Sequence, residues 1–133
     1  RLIRTAREIN DNKPNIVVDA IIAHAKKLNT KKIICLGAAY KPDIADLRES
    51  PALKIILKLA STGYSVKVVE SNIDTLPESL DASRCQLVSL KAVIEEKKEQ
   101  VISILVAHKE FKISEELRRH KPLDFCGVLA GTY

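Results

Sequence analysis

Lys41 and Arg48 are the side chains of this 133-residue sequence whose type and spacing best suit chemistry. They lie seven residues apart in Gly37-Ala38-Ala39-Tyr40-Lys41-Pro42-Asp43-Ile44-Ala45-Asp46-Leu47-Arg48-Glu49-Ser50-Pro51. A lysine at the carboxyl end of a strand sets a compact positive charge against a diphosphate or a sugar hydroxyl, and the planar fork of an arginine suits a pyrophosphate. The stretch begins after Ile33-Ile34-Cys35-Leu36, an apolar run that reads as a strand enclosed on both faces. It ends at Ser50-Pro51, which reads as a helix start: serine caps the free amides and proline suits the first helical position. A parallel sheet presents such a loop at its ligand-binding edge, beside a helix start that favours anions. The alternative is two surface cations, Lys41 paired with Asp43 or Asp46 and Arg48 with Asp46 or Glu49. Such pairs are worth little energetically.

Other chemistry-bearing residues read as structural. Glu70 ends a second strand, where an acid in a dinucleotide fold takes ribose hydroxyls. However, Gly37 is the only glycine of its loop and Gly-x-Gly-x-x-Gly is missing, so independent NAD binding is not expected. His108 follows a buried strand and reads as a loop hydrogen-bonding residue rather than a ligand contact. Cys35, Cys85 and Cys126 form no Cys-x-x-Cys pair, so no metal site is expected. Cys35 sits in an apolar strand as a small core residue. Three unpaired thiols suit a reducing cytoplasm, the expected location.

The elements that must position these residues follow from hydrophobic periodicity. Arg1 to Asn12 reads as a helix end closed by Asn12-Lys13-Pro14, with Asn15 capping a second helix to about Leu28. Ile16, Val17, Val18, Ala20, Ile21, Ile22, Ala23 and Ala25 make that helix apolar on more than one face. This implies packing against another domain or subunit, with an ordinary core helix as the alternative. Strands are expected at Lys32–Ala38, Ser65–Glu70, Cys85–Val88, Gln100–Val106 and Leu123–Val128. Helices are expected at Ser50–Ser61, closed by Gly63, at Ser89–Glu96 and at Ser114–Arg119. This alternation predicts an α/β fold: a three-layer α/β/α Rossmann-like domain on a mainly parallel sheet, preceded by helices.

Bulk properties exclude several classes. The 46% apolar and 29% charged residues fit a globular chain with an aliphatic core, because Trp and Met are absent and aromatics are few. The absence of Met even at position 1 points to a chain that begins inside a larger protein. The net charge of +5 comes from dispersed lysines and arginines, not a basic block with stacking aromatics, so nucleic acid is not an expected partner. No apolar run approaches the ~18 residues needed to span a bilayer, so no membrane role is expected.

Tyr40-Lys41-Pro42-Asp43, Asp46-Leu47-Arg48-Glu49-Ser50-Pro51-Ala52 and Leu2 to Asp11 together resemble the C-terminal part of the UDP-glucose/GDP-mannose dehydrogenase family. Val68 to Ile73 with Leu76-Pro77, and Leu105 to Lys112, resemble its UDP-N-acetyl-D-mannosamine branch. The resemblance implies that residues 1–30 end a central helical interface region and that 31–133 form a UDP-sugar-binding domain. It implies that Tyr40 and Lys41 contact the UDP-sugar and that Arg48 reaches the pyrophosphate of NAD. NAD itself belongs mainly to an N-terminal domain, and a homodimer forms through the N-terminal helices. The family oxidises a primary alcohol to a carboxylate in two hydride transfers, through a nucleophilic cysteine in a segment before the central helix. None of the three cysteines here inherits that role, so this chain alone is expected to be inactive. Cys126 stands where the family often carries a basic residue, and Ala107 where the branch commonly carries an acid. Action on UDP-glucose, a stand-alone nucleotide-sugar module and a dimerisation module remain alternatives.

Overall fold

Alternation within short apolar runs builds the sheet. The computed structural model describes residues 2–39 (side chains from 14 on), 50–76 and 85–126. Its elements are α1 (Leu2–Leu28), β1 (Lys32–Leu36), α2 (Pro51–Ser61), β2 (Ser65–Val69), β3 (Cys85–Leu87), α3 (Leu90–Glu95), β4 (Val101–Ile104), α4 (Lys109–Ile113), α5 (Glu115–Arg119) and β5 (Leu123–Asp124). Five strands form one sheet in the order β3-β2-β1-β4-β5. Every pairing is parallel, with Cys35 opposite Val68 on one side and Ser103 on the other.

Successive β1 side chains leave opposite faces of the sheet, and the core divides accordingly. Ile33 and Cys35 join Val17, Val18, Ile21 and Ala25 of α1 and Ile55, Ile56 and Leu59 of α2. Ile34 and Leu36 join Val93, Phe111 and Leu117 on the other face. The result is the three-layer α/β/α sandwich that the alternation predicts, with β1 and β4 buried on both faces.

Each of three helix starts uses the serine expected of it. Ser50 Oγ accepts from Leu53 N at 3.3 Å, Ser89 Oγ from Ala92 N at 3.1 Å, and Ser114 Oγ from Leu117 N at 3.1 Å. At the far end of α2, Gly63 takes a φ of +95°, a conformation that costs glycine little.

The expected break at Asn12-Lys13-Pro14 is absent: α1 runs unbroken with Pro14 inside it. Proline carries a φ compatible with a helix and removes one backbone donor, a local cost that packing of the following turns can offset. Asn15 therefore lies inside α1 rather than at a helix start; its side-chain carbonyl accepts a hydrogen bond from Lys58 Nζ of α2. The mixed apolar character of α1 also resolves. Val17, Val18, Ile21 and Ala25 are buried, whereas Ala20 and Ala23 are exposed and Ile16 is 56% exposed on the outer face.

Strands end earlier than the apolar runs suggest. Beyond Ile104 the amides of Leu105 and Val106 both turn to the Leu36 carbonyl, at 3.0 and 3.3 Å. Beyond Leu36, Gly37 turns the chain out of the ladder with a φ of +97°. Helix α4 is not expected from the sequence. It is five residues long, lacks a side-chain cap, and is held by Phe111, which is fully buried in the second core.

Candidate functional site at the carboxyl edge of the sheet

Strand order reverses around β1: β2 and β3 lie to one side, β4 and β5 to the other. Segments leaving the carboxyl ends of β1, β2 and β4 therefore converge, and crevices at such switch points are where open α/β sheets bind ligands. The three segments are packed tightly. Gly37 N donates to Val69 O at 2.8 Å. A Cβ at Gly37 would stand 2.6 Å from Val106 Cβ, so no larger residue fits there without a shift.

Glu70 ties the segments together. One carboxylate oxygen, Oε1, accepts from Ala38 N at 2.9 Å and from Ala39 N at 3.1 Å. The same oxygen lies 2.8 Å from His108 Nε2. Its partner Oε2 accepts from Asn72 Nδ2 at 3.0 Å and Asn72 N at 3.4 Å. Glu70 and His108 are both buried. Burial pushes the Glu70 carboxyl upward, but the hydrogen bond from His108, that from the Ala38 amide, the coulombic effect of His108 and the Asn72 bond outweigh it and hold the group at about 2. Glu70 is therefore an anion, and His108 donates to it through Nε2–H.

The successive amides of Ala38 and Ala39, following a residue of positive φ, make an anion-binding concavity. A dinucleotide phosphate would need that kind of concavity at the end of the first strand. Here it already holds the Glu70 carboxylate, so the described residues do not fit NAD at this place. The sequence reading of Glu70 as structural and His108 as a loop hydrogen-bonding residue agrees with this geometry. Sequence reading did not join the two. Sheet order was the missing information: once β2 and β4 flank β1, the residues just beyond them must face each other.

Tyr40, Lys41 and Arg48 lie outside the described residues, but both ends of their segment are fixed. Ser50 Oγ donates to Ala39 O at 3.2 Å while also capping α2. The chain thus leaves the sheet at Ala39 and returns beside it at Ser50. Ser71 Oγ donates to Glu110 at 2.8 Å and joins the β2 segment to α4.

The cysteines are separate. Burial drives the Cys35 thiol up to about 12, although a Ser103 hydrogen bond opposes it, so it is no nucleophile. Burial also raises Cys85. Cys126 is exposed near the carboxyl end of β4, its Sγ 3.6 Å from Ile104 O. No group of three metal-ligating side chains occurs among the described residues. No helix among them is long and apolar enough to cross a membrane. An open groove of about 470 Å³ beside Lys31, Tyr64, Ser65 and Cys85 lies at the opposite, amino edge of the sheet.

Comparison with known proteins gives matches along most of the chain. Residues 34–129 match the UDP-binding domain described for the UDP-glucose/GDP-mannose dehydrogenase family. The chain is 49% identical over 128 residues to a UDP-N-acetyl-D-mannosamine dehydrogenase of Campylobacter jejuni, covering 95% of this chain and 30% of that protein. It is 45% identical over 122 residues to one from Salmonella typhi, covering 84% of this chain and 28% of that protein. Among solved structures, the UDP-N-acetyl-mannosamine dehydrogenase of Staphylococcus aureus superposes with a TM-score of 0.74 at 28% identity, over 96% of this chain and 30% of that one. The chain therefore spans about 30% of the length of the curated relatives it matches.

Proposed function

Because the chain belongs to the UDP-glucose/GDP-mannose dehydrogenase family, as its UDP-binding domain, we propose that it is the nucleotide-sugar-binding part of a UDP-N-acetyl-D-mannosamine 6-dehydrogenase. The complete enzyme would convert UDP-N-acetyl-D-mannosamine to the uronate in two hydride transfers, for polysaccharide synthesis in the cytoplasm. The observation that carries this reading is the 49% identity to the Campylobacter jejuni enzyme across 95% of the chain. Convergence of three segments at the carboxyl edge of the sheet supports the same site.

Within that site Tyr40 and Lys41 contact the UDP-sugar, and Arg48 reaches the pyrophosphate of NAD across a domain boundary. NAD supplies the hydride acceptor and is held mainly by an N-terminal domain. The Glu70 carboxylate in the concavity after β1 supports this division of labour. The burial of Cys35, with its thiol pushed up to about 12, supports the reading that Cys35 is not the nucleophile. Residues 1–30 belong to the interface region, and the exposed Ile16, Ala20 and Ala23 favour a homodimer or interdomain contact on that face of α1.

Turnover by the complete protein tests the reading. NAD should be reduced in a ratio of two per UDP-N-acetyl-D-mannosamine consumed, with UDP-glucose a poorer substrate. Preference for UDP-glucose would move the protein to another branch, and inertness toward both sugars would end the proposal. This chain alone should reduce no NAD with either sugar.

A further inference from the structure

We propose that Glu70 is a positioning residue for nucleotide-sugar binding, acting with His108 to fix the backbone from which the Tyr40–Lys41 segment departs. The inference rests on the reading above, that this segment meets the UDP-sugar.

The geometry gives Glu70 more than a packing role. Its side chain is buried, and both of its carboxylate oxygens accept hydrogen bonds. It spends one oxygen on two consecutive amides, Ala38 and Ala39, immediately before Tyr40. Those amides have lost their strand partners because Gly37 has turned the chain out of the sheet. Without an acceptor they would be buried and unsatisfied, or would turn elsewhere and re-aim the next residues. His108, arriving from the β4 side, holds the carboxylate from a third direction at 2.8 Å. Although His108 occupies the N-cap position of α4, it makes no side-chain cap bond there. The ring instead serves Glu70. Ser50 closes the far end of the segment against Ala39 O. The chain on either side of the 40–49 segment thus refers to Ala39, and Ala39 refers to Glu70. Moving the backbone that carries ligand-contacting groups weakens the hydrogen bonds they make, so this anchoring is expected to register in the affinity for the UDP-sugar.

The test is steady-state kinetics of the complete protein with substitutions at both ends of the pair. Glu70→Gln keeps the shape, weakens the acceptor and loses the charge. His108→Ala removes the donor, whereas His108→Gln can restore it through its amide. The expected result is a KM for the UDP-sugar raised roughly tenfold in Glu70→Gln and in His108→Ala, as a tenfold change corresponds to about 1.4 kcal/mol. The kcat should change less than threefold, and His108→Gln should recover most of the loss. If Glu70→Gln does not fold, the contrast between His108→Ala and His108→Gln decides. An unchanged KM in folded His108→Ala, or in folded Glu70→Gln, overturns the positioning role. A wild-type protein that neither turns over nor binds a UDP-sugar instead overturns the underlying reading, and the role with it.

Discussion

Glu70 Oε1 and His108 Nε2 lie 2.8 Å apart, joining residues 38 positions apart in the chain at the centre of the sheet's carboxyl edge. The pair is buried and is completed by two backbone amides. A buried carboxylate is costly unless its oxygens are satisfied, and here the donors come from all three converging segments. The same contacts that satisfy the charge therefore define the shape of the edge.

Acid should loosen that edge first. The Glu70 carboxyl sits at about 2 in the folded chain against an ordinary 4.5. The contribution of this carboxylate to stability is thus fully present above about 4.5 and is lost as pH falls from there toward 2. At about 1.4 kcal/mol per tenfold change in proton affinity, roughly 3 kcal/mol is involved. Urea unfolding at pH 7, 5 and 3.5 should show wild type losing stability faster than Glu70→Gln as pH falls. Parallel curves would mean that the carboxylate is not held in this way.

Gly37→Ala should destabilise the fold by at least about 2 kcal/mol, because a Cβ is strained at positive φ and meets Val106. Chemical denaturation measures this directly. A neutral substitution would show that β1 and β4 are not so closely joined beyond their ends.

Thiol labelling should separate the cysteines. Cys126 is exposed and should react with a disulfide reagent in the native state, and Cys126→Ser should abolish the rapid phase. Cys35 is fully buried and its thiol is driven to about 12, so it should react only on unfolding. Rapid modification of Cys35 in the native state would contradict its place in the core.

Ile16 and Ile21 should behave oppositely although both are apolar residues of α1. Ile21 is fully buried, so Ile21→Asp should cost several kcal/mol and unfold the chain. Ile16 is 56% exposed, so Ile16→Asp should leave the fold intact and, in the complete protein, weaken self-association seen by sedimentation. Unchanged association would take this face out of the interface.

Much of the fold was legible because local chemistry and tertiary context agree. Apolar runs such as Ile33 to Leu36 could only be doubly buried strands, and Ser50, Ser89 and Ser114 each announce a helix that they do cap. Pro14 misled because a proline signals a probable boundary, whereas packing of Val17, Val18 and Ile21 decides where a helix continues. Helix α4 was illegible because its N-cap residue, His108, has its side chain committed to Glu70. The importance of Glu70 and His108 at the edge depended on strand order, which no short-range pattern encodes. The roles of Tyr40, Lys41 and Arg48 rest on motif resemblance, since they lie outside the described residues.

Hydrogen exchange of the complete protein with and without UDP tests most directly whether the carboxyl edge is the ligand site. Bound UDP should slow exchange in peptides covering residues 37–52 and 105–110, and leave those covering 29–32 and 62–66, at the opposite edge, unaltered. Protection confined to the opposite edge, or absent from 37–52 at saturating UDP, would contradict the assignment.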